Sequence, residues 1–130
     1  MNIKRILVIE DDKREQNLLR DACECLNLLP LFFIPQNYGQ AEMIDDLKKF
    51  IENNQPFDIA LLDYQIWGYK QGTIFVDTLK QNKIPFVGYS SMYTYNSELV
   101  KAGAVTFVNK EGFEVKDTIK NIESILQKLS

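Results

Sequence analysis

Acidic, hydroxyl and basic residues stand directly after four separate apolar runs in this 130-residue chain. Glu10-Asp11-Asp12 follows the first run, Asp63 ends DIALLD, Ser90-Ser91 ends IPFVGYSS, and Asn109-Lys110 ends AGAVTFVNK. Carboxylates brought close together repel one another and require a cation. Oxygen-only donors suit Mg2+, which keeps several waters and takes one or two carboxylates together with phosphate oxygens. An aspartate carboxylate is ordinarily ionised at neutral pH and attacks phosphorus without a general base, a role open to Asp63. Phosphoryl transfer also needs in-line positioning and neutralisation of charge on the equatorial oxygens. The Lys110 ammonium and the Ser90 hydroxyl are of the right type for that. Each residue alone has a bland explanation, since acidic residues cap helices and Ser and Lys at strand ends are usually solvated. Their placement after four different runs is what carries the reading.

Other chemistries are poorly supported. The chain has no histidine, which removes Ser-His and Cys-His triads and the common zinc sites. Cys23 and Cys25, two apart on a helix, point to different faces and make a poor metal clamp. They read as helix cysteines packed by size. The formal charge is −3 and no Lys/Arg cluster offsets it, which disfavours nucleic acid. No apolar run approaches the roughly 20 residues of a membrane span, and residues 1–9 lack a signal-peptide layout. The chain is therefore expected to be cytoplasmic. None of its six glycines makes a GxGxxG or GxxxxGK[ST] loop, which argues against a flavin carrier or small nucleotide enzyme of similar topology.

The elements that must position these residues follow from hydrophobic period. Apolar, β-branched-rich runs predict strands at 3–9, 29–34, 58–63, 84–89 and 105–108. Pro35 closes the second of these. Helical spacing predicts helices from Asp12 or Lys13 to Leu26, over 38–53, over 73–81, over 95–102 and through 115–129. In the first, Leu18, Ala22 and Cys25 or Leu26 share a face. The second runs through Ile44, Leu47 and Ile51, and the last through Val115, Ile119, Ile122, Leu126 and Leu129. Gly103 is expected to end the fourth helix in the left-handed conformation. Charged and apolar residues mix at 45% apolar and 25% charged, the balance of a globular domain, and the length suits one domain over 1–130. Strands alternating with helices predict a parallel sheet covered on both faces, with its site at the carboxyl ends of the strands.

With these motifs in view, ILVIEDD (6–12), DIALLD (58–63), IPFVGYSS (84–91) and AGAVTFVNK (102–110), the chain resembles the response-regulator receiver domains of two-component signalling over nearly its whole length. The resemblance implies a doubly wound, flavodoxin-like α/β fold of five strands in the order 2-1-3-4-5 with five helices. It implies Asp63 as phosphoacceptor and Mg2+ held by Glu10, Asp11, Asp63 and the backbone carbonyl of Gln65, with Asp11 the direct ligand. Ser90 becomes the switch hydroxyl, Phe107 the switch aromatic, and Lys110 the phosphate-sensing lysine. The implied partners are a sensor histidine kinase or phosphotransfer protein and a downstream protein target. The only catalysis implied is of the domain's own phosphoryl transfer and dephosphorylation. The alternative is a receiver-like interaction module that is never phosphorylated.

The chain also departs from the family pattern. Glu111 replaces the proline usual after the lysine, so the Lys110–Glu111 peptide is expected to be trans. Ile66-Trp67 replaces Met-Pro, and Trp67 reads either as an apolar plug or as a lid near the ion. The Ser90–Lys110 interval is about two residues short, which predicts a reduced fourth helix beginning near Tyr93 and Tyr95. Phe107, lacking a hydroxyl, is expected to favour an inward, buried state. Met1 is read as the native start. The absence of a segment after the last helix suits either a stand-alone receiver or a piece of a longer protein.

Overall fold

A computed structural model describes residues 2–130; the reading of Met1 lies outside the described residues. Five parallel strands form one sheet: β1 (Arg5–Ile9), β2 (Leu29–Phe32), β3 (Ile59–Leu62), β6 (Phe86–Ser90) and β7 (Thr106–Asn109). Their spatial order is β2-β1-β3-β6-β7, which is the predicted 2-1-3-4-5 counted over the sheet's own strands. Five helices connect and cover them: α1 (Lys13–Cys25), α2 (Gln40–Asn54), α3 (Val76–Gln81), α4 (Tyr93–Lys101) and α5 (Val115–Leu129). Alternation along the strands splits the core into two layers. Leu7, Ile9, Ala60 and Leu62 face α2, α3 and α4 through Met43, Leu47, Leu79 and Leu99. Ile6, Val8, Ile59, Leu61 and Val87 face α1 and α5 through Leu19, Ala22, Ile122 and Ile125. Among the described residues no helix is long and apolar enough to cross a membrane.

Local chemistry sets the helix ends. Asp12 caps α1, its Oδ1 accepting from the backbone N–H of Arg14 at 2.8 Å and of Glu15 at 3.4 Å. Glu114 and Asp117 form a capping box at the start of α5. After α4, Gly103 takes φ +121°, which a side chain would resist.

Three features differ from the sequence reading. The buried face of α1 runs through Gln16, Leu19, Ala22 and Cys23, keeping Ala22 of the expected face while Leu18 is half-buried and Cys25 is exposed. Gln16 hides there because its Nε2 donates to the Glu10 carbonyl at 2.6 Å, so a polar residue masks the phase of the stripe. Thr118 and Asn121 mask α5 in the same way. Second, β2 is an edge strand with no fully buried residue, and Ile34 beyond it is 54% exposed. Third, residues 65–71 fold into a small antiparallel hairpin, β4 (Gln65–Ile66) and β5 (Lys70–Gln71), joined by a 3-10 turn at Trp67–Tyr69.

Candidate functional site

Register brings the chemistry-bearing residues level. Ile9 pairs with Leu62 across β1 and β3, and Ser90 with Asn109 across β6 and β7. The residues one step further on, Glu10, Asp63 and Lys110, therefore emerge along one rim. Backbone bonds fix two of them: Asp63 N–H donates to the Ile9 carbonyl at 3.1 Å and Lys110 N–H to the Ser90 carbonyl at 3.0 Å. The Lys110–Glu111 peptide is trans, since the cis bond among the described residues is Gln55–Pro56.

Glu10, Asp11 and Asp63 each offer an oxygen within 4.8 Å of the others. Glu10 and Asp63 are buried and Asp11 is exposed. Lys110 reaches across the sheet to both buried carboxylates, bonding Glu10 Oε2 and standing 3.1 Å from Asp63 Oδ2. Its ammonium also lies 5.6 Å from the centre of the buried Tyr89 ring. Asp63 Oδ1 accepts the N–H of Tyr64 at 2.8 Å, and Glu10 Oε1 that of Asp12 at 3.1 Å. The hairpin closes tightly behind Asp63. Gly72 N–H donates to the Tyr64 carbonyl at 2.5 Å, and a Cβ on Gly72 would fall 1.9 Å from the Asp63 carbonyl oxygen, so only glycine fits.

The electrostatics follow from burial. Burial pushes the Glu10 carboxyl up to about 8, the Asp63 carboxylate adds to this, and the Lys110 ammonium pulls it back. Burial also raises Asp11, again with Asp63 adding. Burial alone would lower Lys110, but Glu10 and Asp63 more than offset it and hold the ammonium charged.

Above these groups opens a cleft of about 410 Å³, bordered also by Gln65, Tyr69 and Ser91. Ser90 itself is buried at the end of β6, and its neighbour Ser91 borders the cleft instead. Trp67 does not border it; the indole packs edge-on against Phe33 with ring centres 5.8 Å apart, as an apolar plug. Phe107 is half-buried and not inward. Its ring meets Tyr93 edge-on at 5.6 Å and lies under the Lys128 ammonium, which donates to the Phe107 carbonyl at 2.8 Å. The helix above it, α4, spans nine residues and starts at Tyr93.

Two residues near the rim carried no weight in the sequence reading. Asn96, on α4, is fully buried, and Asn109, at the end of β7, is its partner at 2.7 Å. The available signal was a polar residue one turn before Leu99, on a stripe that should be apolar.

No family model matches the chain, and no curated protein sequence matches it either. Solved structures do. A CheY-like response-regulator receiver domain protein from Methanospirillum hungatei is 18% identical, with 98% of this chain and 96% of that one covered and a TM-score of 0.65. A response regulator in red-light signalling of R. palustris is 16% identical over 96% and 92% of the two chains, with a TM-score of 0.71. A two-component response regulator from Clostridium difficile is 15% identical over 98% of each chain, with a TM-score of 0.70. This chain has the flavodoxin-like fold of receiver domains.

Proposed function

We propose that this chain, as a single receiver domain, is a phosphoacceptor switch of two-component signalling. A sensor histidine kinase or phosphotransfer protein supplies the phosphoryl group and a downstream protein reads the result. The observation that carries this is the meeting of Asp63, Glu10, Asp11 and Lys110 at one open cleft, with Lys110 3.1 Å from Asp63. Fold likeness alone would not assign a function.

The donor set fits Mg2+, being three carboxylates with oxygens within 4.8 Å and no nitrogen or sulfur ligand among them. When bound by Glu10, Asp11 and Asp63, with the Gln65 backbone carbonyl, the ion would supply charge neutralisation for the phosphoryl oxygens. The remaining chemistry belongs to the chain. An Asp63 carboxylate oxygen bonds to phosphorus as the P–N bond of the phosphohistidine breaks, and the leaving imidazole takes up a proton. Lys110 shifts its donors from Asp63 to the transferred group, and the Ser90 hydroxyl donates to another of its oxygens, moving the Phe107 ring. No substrate is turned over beyond the domain's own phosphoryl group.

A second reading, an interaction module that is never phosphorylated, draws on one observation. Lys110 already pairs both buried carboxylates, so the cluster is partly neutralised by the chain itself. Intact-mass measurement with Mg2+ and phosphoramidate separates the two. The wild type gains one phosphoryl mass and Asp63→Asn gains none; equal labelling of both would remove Asp63 as acceptor, and no labelling of either would favour the module.

A further inference from the structure

Asn96 is a fully buried amide on α4, in a helix otherwise held by apolar contacts such as Leu99. Its side chain grips one residue of the active rim, Ser90, through both the N–H and the carbonyl of that residue. Ser90 N–H donates to Asn96 Oδ1 at 3.0 Å, and Asn96 Nδ2 donates to the Ser90 carbonyl at 3.0 Å. The same Nδ2 reaches the Val108 carbonyl at 3.4 Å and Asn109 Oδ1 at 2.7 Å. The Ser90 carbonyl also accepts Lys110 N–H at 3.0 Å, so both of its lone pairs are in use.

The neighbouring chain makes room for this amide. A Cβ on Gly88 would fall 3.0 Å from Asn96 Oδ1 and 3.4 Å from Leu99 Cβ, so the bare position 88 lets α4 sit close against β6 and a side chain there would push on the amide. Buried polar groups that are fully paired rigidify the elements they join. Apolar contacts tolerate sliding between elements, whereas a two-point amide grip transmits displacement. Phe107, by contrast, touches Tyr93 from the half-exposed side and makes no bond to the Ser90 peptide.

We infer that Asn96 is the positioning residue that makes α4 and the Ser90–Lys110 rim move as one body, so that a shift of Ser90 toward phosphorylated Asp63 carries α4 with it. This rests on Asp63 being the phosphoacceptor.

The test uses the full chain with Mg2+ and phosphoramidate. Intact mass reads Asp63 occupancy, and hydrogen exchange over residues 93–101 reads the response of α4. Asn96→Leu alone strands the Ser90 N–H and the Asn109 amide, so the decisive variant is Asn96→Leu with Asn109→Val, which removes both amides and leaves, of the cluster, the Ser90 N–H without its partner. That double variant should be phosphorylated to the wild-type extent but show no phosphorylation-dependent change over 93–101. Asn109→Val alone keeps the grip on Ser90 and should keep the change. A merely structural amide would alter exchange with and without the phosphoryl group alike. A phosphorylated double variant that responds as wild type does, or an Asn109→Val protein that loses the response, overturns the inference. Failure of the wild type to be phosphorylated overturns the phosphoacceptor reading, and this inference with it.

Discussion

Two aspartates bracket β3 and live under opposite conditions. At the amino end, Asp58 accepts the backbone N–H groups of Lys4 and Arg5, both at 2.8 Å, and those bonds hold its carboxyl below the usual range. At the carboxyl end, Asp63 is buried beside a second buried acid, Glu10, whose carboxyl burial drives upward. One end spends its carboxylate on tying β1 to β3. The other crowds acids together and leaves them facing an open cleft, with one lysine as their counter-charge. A carboxylate whose Oδ2 is already held by two fixed backbone donors has less to offer a ligand, while crowded acids gain from one.

The largest expected effect breaks the crowded end. Lys110→Met removes the counter-charge of two buried carboxylates and should cost about 3 kcal/mol near pH 8. The folded pKa of Glu10 lies above its ordinary value of 4.5, so the folded form keeps a proton that the unfolded chain releases. Glu10's share of stability is thus fully present below about 4.5 and is lost as pH rises through about 8. The cost of Lys110→Met should therefore shrink toward pH 5. Urea unfolding at the two pH values checks this, and an equal cost at both would mean that Glu10 is not the burdened group.

Metal sharpens the contrast. At ten times its dissociation constant, Mg2+ should stabilise the folded chain by about 1.4 kcal/mol. Chelation should reverse the gain. Asp11→Ala should lose most of the shift in melting temperature. Asp12→Ala should keep it, while losing about 1 kcal/mol of stability as a missing helix cap. The opposite ranking would move the metal site by one residue.

The smallest effect tests the amino end. Asp58→Ala should cost about 1 kcal/mol near neutral pH, its partial exposure discounting the charged hydrogen bonds. Because its folded pKa is lowered from 3.8, that contribution is present above 3.8 and fades as pH falls through the lowered value. Its pH slope has the opposite sign to that of Glu10, and Mg2+ should leave it untouched. A Mg2+ response that depended on Asp58 would erase the distinction between the two ends.

The sheet, its helices and the acidic rim were legible in sequence because each signal had one physical source: continuous apolar runs for strands buried on both faces, and charged residues just past their ends. What was missed had mixed signals. Gln16, Thr118 and Asn121 are polar residues on buried faces, and each shifts or blurs the helical stripe around it. The hairpin strands at 65–66 and 70–71 are too short to show alternation. Trp67 reads either as an apolar plug or as a lid near the ion; the plug is what the fold makes of it, and Phe33, far away in sequence, decides its place. Asn96 and Asn109 explain one another only when the fold brings them together.

The ammonium of Lys128 on the Phe107 carbonyl also bears on how separate molecules meet. β7 is the outermost strand on its side, and an outermost strand offers free backbone groups on which another chain can add. Here one of its carbonyls is already taken, by a donor that a docking strand would have to strip of water and bury. On the far side, β2 carries Pro30, which has no N–H to give. Both margins of the sheet thus discourage growth by strand addition, and concentrated solutions of this chain should resist forming intermolecular β-sheet.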